Sequence, residues 1–499
     1  MAEIDVTQKS PAATAPSKRY RAVVLALLTL VYGFNFIDRQ IVGILAPFIQ
    51  ADLDLTNTQL GLLIGLAFAA FYTVMGIPLA YLADRMNRVT LLSVALATWS
   101  GFTALTGFAQ NFLHIGLARV GVGIGEAGGS PPSHSMISDF YPKEERAGAL
   151  GVYSLGIPLG IMAAYFFTAA LLGSDPNSVD WRRIFIILGV MGILLAVVVK
   201  LVIREPERGA MEGGRKPANP YVSLSKGMAL YNMTPRYLIF GALAALLIAS
   251  VTLGWLAWYF AVPAAIFLGM AFWLSVQPAI KTLAKIPSWW FMALGIAFAS
   301  FASYALSGFQ TKYLRLLDPD YDFRTIVIII GFINGIFYVA GTYLGAKLVD
   351  IRARTDVRAY GSIPALSILF ALPLAIWAFI VPGVNAHLAI GAALQLCLGV
   401  YLGPSFAIAQ TLAPIRIRAM STALFFFILN MIALGGGPTF AGVMIDVFGS
   451  QGNSELISTR YAMFATFAAY ALAILFFLFV RVTIRKDWAE AEARNAIPD

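Results

Sequence analysis

The sequence predicts an all-α polytopic membrane protein with two pseudo-symmetric six-helix bundles and an inserted hydrophobic hairpin, about fourteen hydrophobic helices in all. The first observation is compositional: 59% of the 499 residues are hydrophobic and 12% are charged, whereas a soluble domain carries about 25% charged residues. The second is a spaced pattern that occurs twice, as Pro132-Ser133, Pro142 and Arg146-Ala147 and again as Pro404-Ser405, Pro414 and Arg418-Ala419. Each copy joins two long apolar segments, so we expect two similar halves.

Each predicted span is an apolar segment long enough to cross a bilayer, roughly 20 residues. In the first bundle the spans lie near 22–49, 58–83, 89–109, 112–140, 146–172 and 181–203. In the second bundle they lie near 287–314, 325–349, 362–381, 386–413, 418–448 and 459–480. We refer to these segments as the first to the twelfth span. A transmembrane barrel would instead require short alternating segments, and the sequence shows none.

The predicted domains follow from where the apolar pattern stops. They are a disordered cytoplasmic tail at 1–18, the first bundle at 19–203, a basic cytoplasmic linker at 204–236, the hydrophobic hairpin at 237–280, the second bundle at 281–482 and a cytoplasmic tail at 483–499. The hairpin is predicted because its segment has no charge and is long enough for two spans. An alternative, that it lies in the membrane interface, is left open by its aromatic residues Trp255, Trp258, Tyr259 and Trp273.

The basic residues are concentrated in alternate connections between the spans. These connections include Lys18, Arg21, Arg85, Arg88, Lys143, Arg146, Arg208, Arg352, Arg354, Arg418 and Arg485. The other connections hold Asp52, Asp54, Asp175, Asp180, Asp318, Asp320 and Asp322. Because cytoplasmic loops carry an excess of Lys and Arg, we predict that both termini are cytoplasmic, in the inner (plasma) membrane if the protein is bacterial. The same asymmetry accounts for the net charge of +9, so no nucleic-acid partner is predicted.

The sequence has no cluster of cysteines or histidines that would predict a metal site, a cofactor or an enzymatic reaction. Cys397 is the single cysteine and lies in an apolar segment, which excludes a disulfide framework and a thiolate metal cluster. His114, His134 and His387 do not have the spacing of metal ligands. We therefore predict no cofactor, no metal and no enzymatic activity. A cleavable signal peptide is not predicted either, because the first apolar span is too long.

A charged motif follows the second span. It reads Ala80-Tyr81-Leu82-Ala83-Asp84-Arg85-Met86-Asn87-Arg88, and a weaker copy around Asp350 follows the eighth span. An aspartate and two arginines at a helix end can bind the exposed backbone of a neighbouring helix and pair across the seam between the halves. The predicted cytoplasmic gate consists of Asp84, Arg85, Arg88, Asp139, Arg146, Asp350 and Arg418. The alternative is an ordinary loop whose positive charges only set the topology.

This motif resembles the signature loop of the major facilitator superfamily, although Ala80 and Asn87 replace usual glycines and Val89 replaces a usual basic residue. The segment Leu117–Ala127 is similar to the superfamily's fourth-helix motif, in which Arg119 is the characteristic intramembrane arginine. The resemblance implies two six-helix halves that move a solute by alternating access.

Three further segments resemble the spinster family within this superfamily. They are Asn35-Phe36-Ile37-Asp38-Arg39, the run from Gly125-Glu126-Ala127 into Ser130-Pro131-Pro132, and Asp139-Phe140-Tyr141-Pro142. The resemblance implies an exporter of lysolipids or sphingosine 1-phosphate, since members of that family carry such substrates. The inserted hairpin is not part of the usual twelve-helix pattern.

Asp38, Arg39, Arg119 and Glu126 are ionisable residues inside predicted spans of the first bundle. Each costs at least about 2.5–3.5 kcal/mol at the middle of a membrane, so each should face a cavity or a partner. The equivalent positions of the second bundle are uncharged. We therefore predict a polar pole in the first bundle that faces an apolar wall built by the second.

The hypothesis that follows is a proton-coupled site for an anion. We expect Arg39 and Glu126 to meet at similar depth, Glu126 and Asp38 to exchange a proton, and Arg39 and Arg119 to hold the substrate's anionic head. Further substrate-binding candidates are Asn35, Tyr304 and Asn430. The alternative is that the charges are structural ion pairs between helices.

The sequence thus favours a monomeric secondary transporter that moves an amphipathic anion, such as a lysophospholipid or a sphingoid phosphate, by proton-coupled alternating access. The first alternative is a proton-coupled transporter of small hydrophilic organic anions or sugars. A multidrug exporter, a membrane enzyme and a receptor that does not transport are further alternatives.

Overall fold

The computed structural model describes residues 17–172, 179–208, 278–414 and 417–495, with the isolated positions 211, 243–244, 261, 265 and 268–269. Almost all of the predicted hairpin, most of the linker and nearly all of the N-terminal tail lie outside the described residues. The described residues are helical with no β-strand, which confirms the predicted fold class.

The first bundle contains all six predicted spans, several of them divided into two helices. The helices are Lys18–Ile44 with Ala46–Leu53, Asn57–Ile64 with Leu66–Ala83, Arg88–Thr106, Phe112–Glu126 with Ser130–Phe140, Lys143–Ser154 with Gly156–Leu171, and Trp181–Val202. Polar side chains cap several helix starts. At the second span, the Thr56 hydroxyl accepts a hydrogen bond from the Gln59 backbone while the Gln59 side chain accepts one from the Thr56 backbone.

The second bundle is preceded by a short helix, Pro278–Leu283. Its spans are Pro287–Leu317, Phe323–Ala353, Ala359–Ile380, Val384–Gly399 with Leu402–Thr411, Arg418–Ser450 and Glu455–Asn495. Two of these spans contain π-helical turns, at Asn334–Tyr338 in the eighth and at Asn430–Gly436 in the eleventh. The twelfth span continues as one helix through the segment predicted as the C-terminal tail, as far as Asn495.

The fourth span is interrupted near its middle. Phe112–Glu126 ends before Ala127-Gly128-Gly129, and Ser130–Phe140 follows. Pro131 and Pro132 lack backbone N–H groups and cannot continue the hydrogen-bond ladder of the preceding helix. Eleven helices in the described residues are long and apolar enough to cross a membrane, and the divided fourth span is not among them. The interruption leaves Glu126 at the last residue of its helix.

The first helix begins at Lys18 and the last helix ends at Asn495, both at the same end of the bundles, which we call the terminal end; the opposite one is the far end. At the far end the bundles pack closely: a Cβ atom on Gly61 would overlap the Pro438 carbonyl oxygen, and one on Gly442 would overlap the Asn57 carbonyl oxygen. At the terminal end, the helix pieces pack mainly within their own bundle, as in Ser130–Phe140, Lys143–Ser154, Val339–Ala353 and Leu402–Thr411. The two bundles are therefore closed together at the far end.

Candidate functional site

Arg39 and Glu126 form an ion pair inside the first bundle. Nε of Arg39 donates a hydrogen bond to Oε2 of Glu126 over 2.9 Å, and Glu126 is 1% exposed. The other oxygen, Oε1, makes no hydrogen bond with a described residue, although the Asn35 side chain lies near the Glu126 carboxylate. The structure thus brings together the first and fourth spans through the two residues that were expected to meet.

Aromatic rings surround the Arg39 guanidinium. Its carbon lies 4.3 Å from the ring centroid of Tyr72 and 5.1 Å from those of Phe36 and Phe68. Rings at this distance attract a cation through their π faces and exclude water from one side of it. The guanidinium therefore stays charged and held in place while its terminal nitrogens form no ion pair with a described residue.

Asp38 does not take part in the ion pair of its neighbour Arg39 and bonds a different helix. Its Oδ1 accepts a hydrogen bond from the Thr103 hydroxyl of the third span over 2.7 Å, and the residue is 2% exposed. Consecutive helical residues point in directions about 100° apart, which accounts for the separation of the two side chains. Asp38 and Glu126 interact electrostatically but share no hydrogen-bond partner among the described residues.

Arg119 lies deeper in the first bundle. Its Nε donates to the backbone oxygen of Leu63 over 3.3 Å, its guanidinium lies 4.9 Å from the Phe68 ring centroid, and it is 2% exposed. It interacts electrostatically with both Glu126 and Asp38 without a direct ion pair to either in the described residues. Two arginines and two carboxylates therefore balance each other inside one bundle.

Hydroxyl groups of the second bundle face this cluster, so the predicted wall is less apolar than expected. Tyr304 is half-buried and interacts electrostatically with Arg39 across the bundle interface. Tyr338, which the sequence analysis missed, interacts with Tyr304. Asn430 is buried in the π-helical turn that packs on the second span. Serine and tyrosine hydroxyls form the network behind these residues.

Two of the three histidines, His134 and His387, bond backbone oxygen atoms of their own bundles. His134 bonds the Ser130 backbone oxygen through Nδ1 over 2.9 Å, and His387 bonds that of Ala378 over 2.8 Å. No group of three His, Cys, Asp or Glu residues within the described ranges is placed to hold a metal ion.

A comparison with protein families decides the class of this protein. A family model described as Major Facilitator Superfamily matches residues 28–364. The chain belongs to the major facilitator superfamily. It is therefore an integral, multi-pass membrane transporter and not an enzyme.

Relatives and a solved structure place this transporter more narrowly. A Mycolicibacterium smegmatis MFS-type efflux pump is 29% identical over 434 residues, which cover 86% of this chain and 85% of that protein. A probable L-galactonate transporter of Escherichia coli is 30% identical over 190 residues, 38% of this chain and 41% of that protein. A crystal structure of a bacterial homologue of the human lysosomal transporter spinster, in an inward-facing and occupied conformation, has a TM-score of 0.74 at 27% identity and covers 95% of this chain and 99% of that one.

The predicted gate residues of this transporter lie at the terminal end, where Arg88 contacts the first bundle and the first residues of the linker. Arg88 is 1% exposed and pairs with Asp139 and with Glu205, the latter over 2.7 Å. It also donates to Ser135 and to the Pro206 backbone oxygen. The sequence analysis did not assign Glu205 to the gate, because Glu205 and Glu207 alternate with basic residues at the start of the linker and nothing local distinguishes them as partners of Arg88.

The other predicted gate residues are placed as follows. Arg146 donates to the Ser138 backbone oxygen over 2.9 Å. Asp84 ends the second span and is exposed, as is Arg85, while Asp350 is exposed near Tyr360. The side chain of Arg418 lies outside the described residues.

A polar latch joins the bundles at the far end of the transporter. Asp446 of the eleventh span accepts hydrogen bonds from the backbone and side-chain nitrogens of Asn57, over 3.2 and 2.8 Å, and from the backbone nitrogen of Thr58, over 2.7 Å. Lys312 of the seventh span contacts Asn57, Gln50 over 2.6 Å and Glu455 over 2.6 Å. The sequence analysis did not identify this latch.

Proposed function

We propose that this transporter couples protons to the movement of an amphipathic anion, such as a lysophospholipid or a sphingoid phosphate. The observation that carries the proposal is the buried Arg39–Glu126 pair of the first bundle, with Tyr304 of the second bundle close enough to Arg39 to interact electrostatically. Because an uncompensated charge is costly in a membrane, the pair can separate only when another charge replaces one partner.

In this mechanism the substrate anion and the proton act on the same pair. The anionic head binds Arg39, with Arg119 adding positive charge behind it, and Glu126 is released from its partner. Glu126 then takes a proton, and Asp38 exchanges that proton with the hydrogen-bonded interior of the bundle. Substrate and proton together therefore leave a neutral site, which lowers the cost of rocking the bundles past each other.

The closed far end indicates from which side of the membrane the site can be reached in this structure. We infer that the terminal end is cytoplasmic, as the distribution of basic residues predicts, so the structure represents an inward-facing state. The matched spinster homologue was crystallised in an inward-facing conformation, which supports this inference. A monomer suffices for this mechanism, because both halves of the site belong to one chain.

The second candidate is a proton-coupled transporter of small hydrophilic organic anions or sugars. The similarity to a probable L-galactonate transporter favours it, as do the hydroxyl groups of the second bundle. In that case the arginines bind a carboxylate and the tyrosines bind hydroxyl groups, while the proton step is unchanged.

Transport by purified protein in proteoliposomes tests both candidates. We expect labelled lysophosphatidylglycerol or sphingosine 1-phosphate to accumulate only with an imposed pH gradient. Glu126→Gln should retain counterflow exchange and lose accumulation driven by the gradient, because it keeps the side chain's shape and removes its titration. Glu145→Gln is the matched control, since Glu145 is an exposed acid paired with Arg21 at the terminal end.

The outcomes separate the two candidates from a purely structural role of the charges. Transport of gluconate but not of either lipid would replace the first candidate with the second. If folded Glu126→Gln still responds fully to the pH gradient, the ion pair is structural and proton coupling by Glu126 is refuted.

A further inference from the structure

Two exposed arginines lie at the terminal end of the seam between the first and the sixth spans. Tyr20 joins these spans, because its hydroxyl donates a hydrogen bond to the Val202 backbone oxygen over 3.2 Å and accepts one from the Arg204 backbone nitrogen over 2.7 Å. Arg19 directly precedes Tyr20 in the chain. The backbones of Arg19 and Arg204 are therefore held close together, at the point where both apolar spans end.

Neither arginine forms an ion pair with a described residue, and both side chains are exposed. The nearby acids Glu145 and Glu205 pair with other arginines of the first bundle. Lys18 adds a third exposed cation, and Glu207 is an exposed acid three residues after Arg204. The surface at this end of the seam is thus positive and is not neutralised by acids in the described part of the chain.

An apolar surface continues from Arg19 along the first span. Val23 and Leu30 follow Arg19 by four and eleven residues, so at 100° per residue the three side chains point in nearly the same direction. Val23 is 42% exposed and Leu30 is 49% exposed. Exposed apolar side chains on a membrane span face the acyl chains of lipids. Arg19 therefore lies at the end of a surface that faces lipid.

The sixth span contributes a second apolar surface on the side nearer the first span. Lys200 bonds the Thr90 hydroxyl of the third span, which fixes the side of the sixth span that faces the third. Met191 and Val198 are each 42% exposed and lie about 180° around the helix from Lys200. They therefore lie on the opposite side of the helix, next to the first span. We call Val23, Leu30, Met191 and Val198 together the seam groove.

Charge and apolar surface together identify the kind of molecule that fits this place. A guanidinium group binds phosphate oxygens in pairs, and basic pockets between membrane helices bind the head groups of anionic lipids. Arginines beside a span also set its orientation in the membrane. That role requires only positive charge, and it does not account for an apolar groove that ends at two unneutralised arginines from different spans.

We propose that the seam between the first and sixth spans binds an anionic two-chain phospholipid, such as phosphatidylglycerol, as a resident partner of the first bundle. The phosphate binds Arg19 and Arg204, and an acyl chain lies in the seam groove. Because both spans belong to one bundle, the site persists while the bundles rock. The bound lipid is therefore distinct from the transported substrate, and the inference does not depend on the proposed function.

Thermal unfolding of the purified full-length protein in detergent tests this site, since a ligand that binds only the folded state raises the melting temperature. The additives are dioleoylphosphatidylglycerol, dioleoylphosphatidylcholine and glycerol phosphate, which is the head group without chains. Phosphatidylglycerol alone should raise the melting temperature in a saturable manner. Arg19→Gln and Arg204→Gln should each weaken its apparent affinity about fivefold. Arg352→Gln combined with Arg354→Gln is the matched control, because both arginines are exposed at the terminal end of the second bundle.

The control and the additives separate this site from general attraction of charge. Retained affinity in the control with a loss in both seam variants supports the site. Equal losses in the control and the seam variants, or full retention in the seam variants, would overturn it. An equal effect of phosphatidylcholine would show that the phosphate charge is not recognised, and an equal effect of glycerol phosphate would replace the lipid with a soluble phosphate. The three additives give this answer on the parent protein even where a variant is unstable.

Discussion

The contacts of Asp446 predict how strongly the far end is held closed. Asp446→Ala removes three hydrogen bonds that cross between the bundles, two of them to backbone N–H groups of Asn57 and Thr58 at the start of the second span. Those N–H groups are exposed to water when the far end opens, so their loss acts on the closed state alone. We expect the variant to shift the equilibrium toward an open far end.

The magnitude follows from the kind of bond. A hydrogen bond to a charged group contributes about 1.5–3 kcal/mol, and we reduce this to about 1 kcal/mol for each bond because Asp446 is only half-buried. Three bonds then amount to about 3 kcal/mol, which is roughly a hundredfold change in the ratio of closed to open molecules. Asp446→Asn, which keeps one acceptor oxygen, should have an intermediate effect.

Distances between spin labels at the far end measure this ratio. Ala51→Cys and Gln451→Cys place labels on exposed positions of the two bundles, after Cys397→Ser removes the native thiol. The parent protein should give one short distance, and Asp446→Ala should add a longer one. Asp320→Ala, at an exposed aspartate of the same end, should not. An unchanged distance distribution in folded Asp446→Ala would refute the latch.

Three further predictions concern packing and capping. Gly442→Ala should produce the same longer distance between the spin labels, because its Cβ cannot fit against the Asn57 carbonyl oxygen. Thr103→Val should lower the melting temperature in detergent, through a loss of about 1–3 kcal/mol when Asp38 loses its hydrogen bond, and Thr103→Ser should restore it. Asp322 caps a helix outside the membrane, and hydrogen bonds from Thr325 hold its pKa below the ordinary 3.8. The ionised cap therefore stabilises the folded state above pH 3.8, and this stabilisation is lost as the pH falls through the lowered pKa. Asp322→Ala should therefore cost about 1 kcal/mol at neutral pH in thermal unfolding and nothing in strong acid.

The charged part of the site could be predicted because ionisable residues inside apolar spans are easily recognised in the sequence and carry a free-energy cost in a membrane. Asp38, Arg39, Arg119 and Glu126 interrupt apolar spans, and a membrane tolerates such groups only where they find partners or water. The resemblance to the major facilitator superfamily, in which the first and fourth helices line the cavity, then implied that Arg39 and Glu126 could meet at similar depth, and the structure joins them at 2.9 Å. The interruption of the fourth span beside Glu126 also has a cause in the sequence, because Gly128 and Gly129 are followed closely by Pro131 and Pro132.

The rest of the site depends on which surfaces meet in three dimensions. Asp446 and Lys312 occur near the ends of spans, where charged residues are ordinary, so nothing local distinguishes a latch from a solvated helix end. Tyr338 is one of many aromatic residues in the apolar spans, and its place near Tyr304 depends on the π-helical turn and on the packing of the second bundle. Arg88 has several possible partners in sequence, and the choice of Asp139 and Glu205 follows from the fold of the linker's first residues.

The distribution of polar contacts between the bundles explains which of them must change during transport. The ionised groups of the central site all belong to the first bundle, so movement of the second bundle alone does not break their mutual bonds. In the proposed mechanism it is the substrate and the proton that separate Arg39 from Glu126. The latch bonds cross the interface, so the proposed alternating-access mechanism requires them to break each time the far end opens. A ligand can shift this equilibrium only by its difference in affinity between the two states. The substrate must therefore gain more from contacts that join both bundles in the next state than the latch loses, and in the second bundle those contacts are available from Tyr304 and Tyr338.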